Sequence, residues 1–169
     1  MKCYSCDSEM RSERRKYHYT ECGLDNVYLD NVRVFVCDKC NEEEVSLPCV
    51  PDLHMLLGKI IVSQKQPLDG KEVRFLRKNA GLSATKLAKI LGVSLETISR
   101  WENDKIKIKS SSDRLIRMVY CAIMDVPSHE LKNLVQNNFE EIAGNKMADF
   151  LHTIQIDQLF NENGMCMMA

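Results

Sequence analysis

The chain has 169 residues, 44% hydrophobic and 28% charged, with a formal net charge of −1. This supports a folded core in one domain or two small ones. No apolar run is long enough to cross a bilayer, and Met1-Lys2-Cys3-Tyr4-Ser5-Cys6 lacks the apolar core of a secretion signal, so a membrane span is excluded and a cytoplasmic location is expected. Thiols stay reduced there, so the eight cysteines suggest metal rather than disulfides.

Residues 1–50 read as a zinc ribbon. Cys3-Tyr4-Ser5-Cys6 and Cys37-Asp38-Lys39-Cys40 are two CxxC pairs with thirty residues between them. Each pair supplies two thiolates from a tight turn, and the two turns together make a tetrahedral sulfur site that suits structural Zn2+. Four protein sulfurs close the coordination sphere, which disfavours a hydrolytic metal. Iron, as in a rubredoxin-like electron carrier, is the remote alternative. Between the pairs, Val32, Val34 and Val36 alternate with Arg33 and Phe35, Val27 and Leu29 precede them, and Asp30-Asn31 reads as a hairpin turn. So short a domain buries too little apolar surface alone, and metal supplies the missing stability. Cys22 reads as a loop-packing residue, Cys121 as core and Cys166 as exposed; Cys49 has no evident role. His18, His54, His129 and His152 are scattered without ligand spacing.

Glu42-Glu43-Glu44, Pro48 and Pro51 close the ribbon. Residues 51–68 form a linker: Leu53, Leu56, Leu57, Ile60 and Ile61 recur at helical spacing until Lys65-Gln66-Pro67-Leu68 breaks the helix. Residues 69–138 form an all-α domain. Asp69 and Glu72 have capping-box spacing, so a helix starts at Gly70, with Val73, Phe75 and Leu76 inward and Arg74, Arg77 and Lys78 outward. Ser83 caps a helix carrying Leu87, Ala88 and Leu91 on one face, Gly92 ends it in the left-handed conformation, and Ser94 caps another with Ile98 and Trp101 inward. Glu96, Thr97, Ser99, Arg100 and Asn103 then face out, groups able to meet base edges and phosphates. That is the pattern of a helix-turn-helix offering its second helix to a DNA major groove, with Ser83, Thr85 and Ser94 as further candidate contacts.

Lys105, Lys107 and Lys109 alternate with Ile106 and Ile108 in a loop that can track phosphates. Ser112 or Asp113 should cap the next helix, where Leu115, Ile116, Val119 and Ile123 close a five-helix core. Pro127 ends it, and Ser128 opens a helix with Leu131, Leu134 and Val135 inward. Residues 139–169 read as a partly disordered tail in which Phe150, Leu151, Ile154, Leu159 and Phe160 fit a helix, with a frayed methionine-rich end.

The near-zero net charge hides an asymmetry. Residues 71–125 carry twelve Lys/Arg against six Asp/Glu, residues 1–50 seven against ten, and residues 126–169 two against six. A basic middle between acidic ends suits a polyanion-binding module. No Ser/His/Asp set, no carboxylate pair in an apolar setting and no phosphate-binding glycine loop points to an enzyme. The fold class expected is α+β.

Arg74, Arg77, Leu87-Ala88, Leu91-Gly92-Val93-Ser94 and Thr97-Ile98-Ser99-Arg100-Trp101-Glu102-Asn103 resemble the Xre (Cro-like) helix-turn-helix family, which implies a lambda-repressor-like domain. Ala84 stands where that family often has Gln. Together with the four cysteines, residues 1–125 resemble the MqsA-type antitoxins, a zinc ribbon followed by an Xre-type helix-turn-helix. The resemblance implies structural zinc on Cys3, Cys6, Cys37 and Cys40, a toxin bound through residues 1–50, and a homodimer that represses its own operon at a palindromic double-stranded operator. Arg100 matches a position that reads a base. Glu96 replaces an Asn, so the operator should differ, because Glu accepts a hydrogen bond from cytosine whereas Asn favours adenine. The alternative is a ribbon-plus-helix-turn-helix regulator without a toxin.

Overall fold

The structure is a computed structural model describing residues 1–47, 49–134, 136 and 152–159. The chain divides into two compact units. One holds Met1–Glu21, Asp25–Leu53 and the described part of Asp149–Ala169; the other holds His54–Ala148 with Cys22–Leu24. The architecture is α+β.

The first unit is a sheet centred on one long strand. β2 (Val27–Cys37) pairs antiparallel with β1 (Met10–His18) along one side. Its other side takes β3 (Glu43–Ser46) antiparallel at Arg33–Val36 and β4 (His152–Gln155) parallel at Val27–Asp30. The expected turn at Asp30-Asn31 is instead a β-bulge inside β2. Arg15 pairs with Val32 and Tyr17 with Leu29, so two residues of β2 oppose Lys16 alone, and Asn31 takes φ 62°. The reason lies in parity. Strand side chains alternate with period two, and one extra residue shifts the alternation by one. Val27 and Leu29 therefore share a buried face with Val32, Val34 and Val36, which no regular strand allows. Asn tolerates the left-handed conformation that the bulge demands.

The expected tail helix is also corrected. The described part of the tail is β4 followed by a 3-10 turn, Ile156–Leu159. His152, Ile154 and Ile156 are buried while Thr153 and Gln155 are exposed, a period of two that belongs to a strand. Phe150, Leu151, Phe160, Cys166 and the terminal methionines lie outside the described residues.

The second unit is helical: α1 (Val50–Ser63) from His54 onward, α2 (Gly70–Asn79), α3 (Ala84–Leu91), α4 (Leu95–Glu102), α5 (Ser110–Ile123) and α6 (Ser128–Asn133). Asp69 and Glu72 form the expected capping box, with Asp69 Oδ1 accepting from the Glu72 amide at 2.8 Å and Glu72 Oε2 from the Asp69 amide at 2.8 Å. Val73, Phe75 and Leu76 are buried. In α6 Leu131 is half-buried, the following Leu134 is buried, and the Val135 side chain lies outside the description.

α5 departs from expectation. It begins at Ser110 after Lys109, without a side-chain cap, and its buried face is Asp113, Ile116, Arg117, Tyr120 and Cys121. Leu115 and Ile123 are exposed and Val119 half-buried. Asp113 is not a cap. It is 1% exposed, holding Arg117 Nε at 2.7 Å and the Leu68 amide at 2.6 Å. Arg117, fully buried, donates to the carbonyls of Ile61, Val62, Gln64 and Gln66 at 2.7 to 3.0 Å. One guanidinium thus satisfies the free carbonyls at the end of α1 and fixes the chain leading into α2.

Gly70 lets α2 start against the end of α4. A Cβ there would lie 2.4 Å from the Trp101 carbonyl oxygen, and the Gly70 amide donates to Asp104 Oδ1 at 2.8 Å. Gly70→Ala is therefore expected to cost about 1 to 3 kcal/mol through overpacking, measured by urea unfolding. An unchanged midpoint would show that α2 has room to move.

Candidate metal centre and nucleic-acid interface

The four cysteines of the two CxxC pairs meet. Their Sγ atoms all lie within 4.8 Å of one another, with Cys3 to Cys40 at 3.5 Å and Cys6 to Cys37 at 3.4 Å. A Zn–S bond of about 2.3 Å puts tetrahedral sulfurs about 3.8 Å apart, so the donor set fits a metal of that size. Cys3 and Cys37 are buried, Cys6 half-buried and Cys40 exposed. Met10 and Phe35 pack beside them.

Two turns of the same design carry the thiols. The Cys3 amide donates to the Ser8 carbonyl at 2.8 Å, and the Asp7 amide to the Cys3 carbonyl at 3.0 Å. The Cys37 amide donates to the Glu42 carbonyl, and the Asn41 amide to the Cys37 carbonyl, both at 2.9 Å. Asp7 and Asn41, each next after a pair's second cysteine, take φ 55° and 59°. Asp and Asn are the side-chain-bearing residues that best accept this conformation. CxxC followed by Asp or Asn is a sequence signal for these turns that the cysteine count alone misses.

The charges show what the cluster needs. Hydrogen bonds from the Ser8 hydroxyl and amide bring the Cys6 thiol down to about 6. At Cys40 the Glu42 amide pulls the same way, but sharing with the Cys3, Cys6 and Cys37 sulfurs holds the proton on and the thiol is pushed up to about 12. The first thiolate forms easily and the next is opposed by it. A cation at the centre resolves that conflict. Cys22 lies outside this cluster, half-buried. Against the expectation of reduced thiols, Cys49 is disulfide-bonded.

In the helical unit, α3 and α4 have the expected caps. Ser83 Oγ accepts from the Lys86 amide and Ser94 Oγ from the Thr97 amide, each at 3.1 Å, and Gly92 has φ 66°. Leu87, Ala88, Ile98 and Trp101 are buried. Glu96, Ser99 and Arg100 are exposed on α4, and Thr85, Lys105 and Lys107 are exposed nearby in sequence. Arg100 Nη2 lies 2.6 Å from Glu96 Oε1 one turn back, so the two form a single polar unit. Thr97 is half-buried, its hydroxyl 2.9 Å from Ser94 Oγ. Asn103 is engaged internally: Nδ2 donates to the Ser99 carbonyl at 2.7 Å, and Oδ1 accepts from Arg74 Nη2 at 3.0 Å.

The structure reassigns Arg77, expected outward. It is turned into the fold at 12% side-chain exposure, where Nη2 meets Glu102 Oε2 at 3.0 Å and Nη1 the Leu82 carbonyl at 2.8 Å. Arg74 Nε reaches the same carboxylate at 3.3 Å. Glu102 therefore pins the end of α4 to α2. Its place one residue after an inward Trp, with two arginines three residues apart in α2, was the available signal.

A helix-turn-helix family model matches residues 73–118, which span most of α2, all of α3 and α4, and most of α5. Over 48 residues the chain is 35% identical to the uncharacterized HTH-type transcriptional regulator YiaG of Escherichia coli K12, and equally to its counterparts in the O6:H1 and O157:H7 strains. These alignments cover 28% of this chain and 50% of each relative, so the chain spans about half the length of the curated relatives it matches. No solved structure matches the chain at a significant level.

Proposed function

We propose that the protein is a sequence-specific DNA-binding transcriptional regulator, a repressor whose α4 enters the major groove. The observation that carries this reading is α4 itself: capped, seated on Ile98 and Trp101, and offering Glu96, Ser99 and Arg100 outward. The helix-turn-helix match over the same residues supports it. Arg100 reads a base, a guanine by chemistry, and Glu96 beside it accepts from a cytosine or orients Arg100. The Ser83, Thr85 and Ser94 hydroxyls, Thr97, Lys105 and Lys107 line the phosphates. Asn103 contributes by holding the end of α4.

In this reading Cys3, Cys6, Cys37 and Cys40 hold structural zinc; four exposed-to-buried thiolates with no open position suit it, and a colourless protein distinguishes it from iron. A homodimer is supported by Leu115, Met118 and Ile123, which leave α5 with large exposed apolar groups. An antitoxin role through residues 1–50 rests on the order of ribbon and helix-turn-helix. An adjacent gene for a small ribonuclease whose product binds this chain would support it; without one, the toxin-free regulator stands.

The deciding experiment is selection of bound duplexes from a random pool, with the mass of the complex measured alongside. A palindromic consensus bound by two chains is expected. Arg100→Ala should then lose about 1 to 3 kcal/mol on that operator and relax one base position. Equal, small losses on operator and random DNA would count against base reading.

A further inference from the structure

The two faces of the ribbon sheet treat their arginines differently. On one face Arg11 and Arg15 are neutralised. Arg11 lies 2.8 Å from Asp38 Oδ1 and 2.6 Å from Glu13 Oε2, and Arg15 pairs with Glu43 and Glu13. On the opposite face Arg14 of β1 stands directly across from Arg33 of β2. Both are exposed, as is Lys16, two residues along the same face. Among the described residues none of these three has an ion-pair partner. Arg14 donates to the Asn31 carbonyl at 3.0 Å. Lys16 Nζ sits 4.9 Å from the ring centre of Tyr28, on which His18 stacks at 4.5 Å and 8°.

Like charges directly opposed across a ladder are destabilising. Carboxylates are not scarce, because residues 1–50 carry ten Asp/Glu against seven Lys/Arg. The fold pairs Glu13, Asp38 and Glu43 on the other face. On this face Glu44 of β3 stands across from Phe35 and Asp30 holds Gln155, yet among the described residues neither carboxylate pairs with the three cations beside the stacked rings.

We propose that this sheet face binds the phosphate backbone of nucleic acid, adding a second contact to the one made by the helix-turn-helix. The inference rests on the DNA-binding reading above for its occupant. Cations flanking flat rings suit a sugar–phosphate chain and its bases better than an acidic peptide.

The test uses the full chain carrying Arg14→Ala and Arg33→Ala together. Both residues are exposed, and metal content with far-ultraviolet circular dichroism checks that the sheet persists. Affinity is measured across a salt series on a long duplex holding the selected operator. Loss of two phosphate contacts should reduce the slope of log K against log salt by about two, with base preference unchanged. An unchanged slope overturns the proposal. So does an unchanged slope accompanied by lost binding of poly-glutamate, which would assign the face to an acidic protein. A wild-type chain that binds duplex without sequence preference would sink the reading of α4 while the slope still judges this face. A wild-type chain that binds no duplex at low salt would sink both.

Discussion

Replacing Cys37 by Ser is expected to unfold the first unit while the helices of the second persist. Cys37 is buried, ends β2 and meets the other three sulfurs. Its amide and carbonyl also close the second cysteine turn. Structural zinc in small domains contributes on the order of 10 to 16 kcal/mol, far more than the net stability of about 3 to 5 kcal/mol that so small a core keeps after chain entropy is subtracted. A three-thiolate site would lose most of that. Chelation of the wild-type protein should have the same effect, and zinc should reverse it. Amide exchange read strand by strand measures the outcome: β1 and β2 lose protection, and α2 to α5 keep theirs. Protection lost in all helices would show one cooperative structure rather than two. Protection kept in β2 without metal would show that apolar packing alone holds the sheet.

The second large effect is expected at the Asp113–Arg117 pair. Removing one partner of a buried ion pair costs about 3 to 5 kcal/mol, because the other charge stays buried without compensation. Asp113→Ala should therefore lower the melting temperature of the helical unit by more than about 10 °C. Arg117→Met should do at least as much, since it also abandons the carbonyls of Ile61, Val62, Gln64 and Gln66. The double variant should be less damaged than the sum of the singles, because the residues act on each other. It should not recover fully, because the four carbonyls still lack a donor. Strict additivity would mean that the pair is not coupled. A shift of only a few degrees in the single variants would mean that water replaces the lost group.

The parts read correctly from sequence are those set by local rules. Ser83, Ser94, Gly92, Asp69 and Glu72 act within a turn of their own position, and each does what its chemistry suggests. The two CxxC pairs announce themselves because four thiols in such pairs have few other uses. What was not legible depends on partners distant in sequence. Arg117 looks like one more cation of a basic segment until Ile61 to Gln66 surround it. Arg74 and Arg77 read as outward-facing cations until Glu102 is seen beneath them. Charge counting therefore overstates the cations available to a partner, although Glu102 and Asp113 leave the surface with them. Nine Lys/Arg and four Asp/Glu of residues 71–125 remain outside these internal pairs, so the segment stays basic. Asn31 misled for a related reason. Asp-Asn between apolar runs suits both a turn and a bulge, and only the pairing of Lys16 against two residues decides.

The parallel pairing of β4 with β2 also sets a timetable. A ribosome releases the cysteine turns and β1 to β3 early, but the strand that covers Val27–Asp30 emerges only after the whole helical unit has been made. Until then that stretch of β2 is an open edge, the kind of surface on which nascent chains join one another. How soon β4 closes that edge would therefore govern how much of this protein is recovered from the cell without clumping.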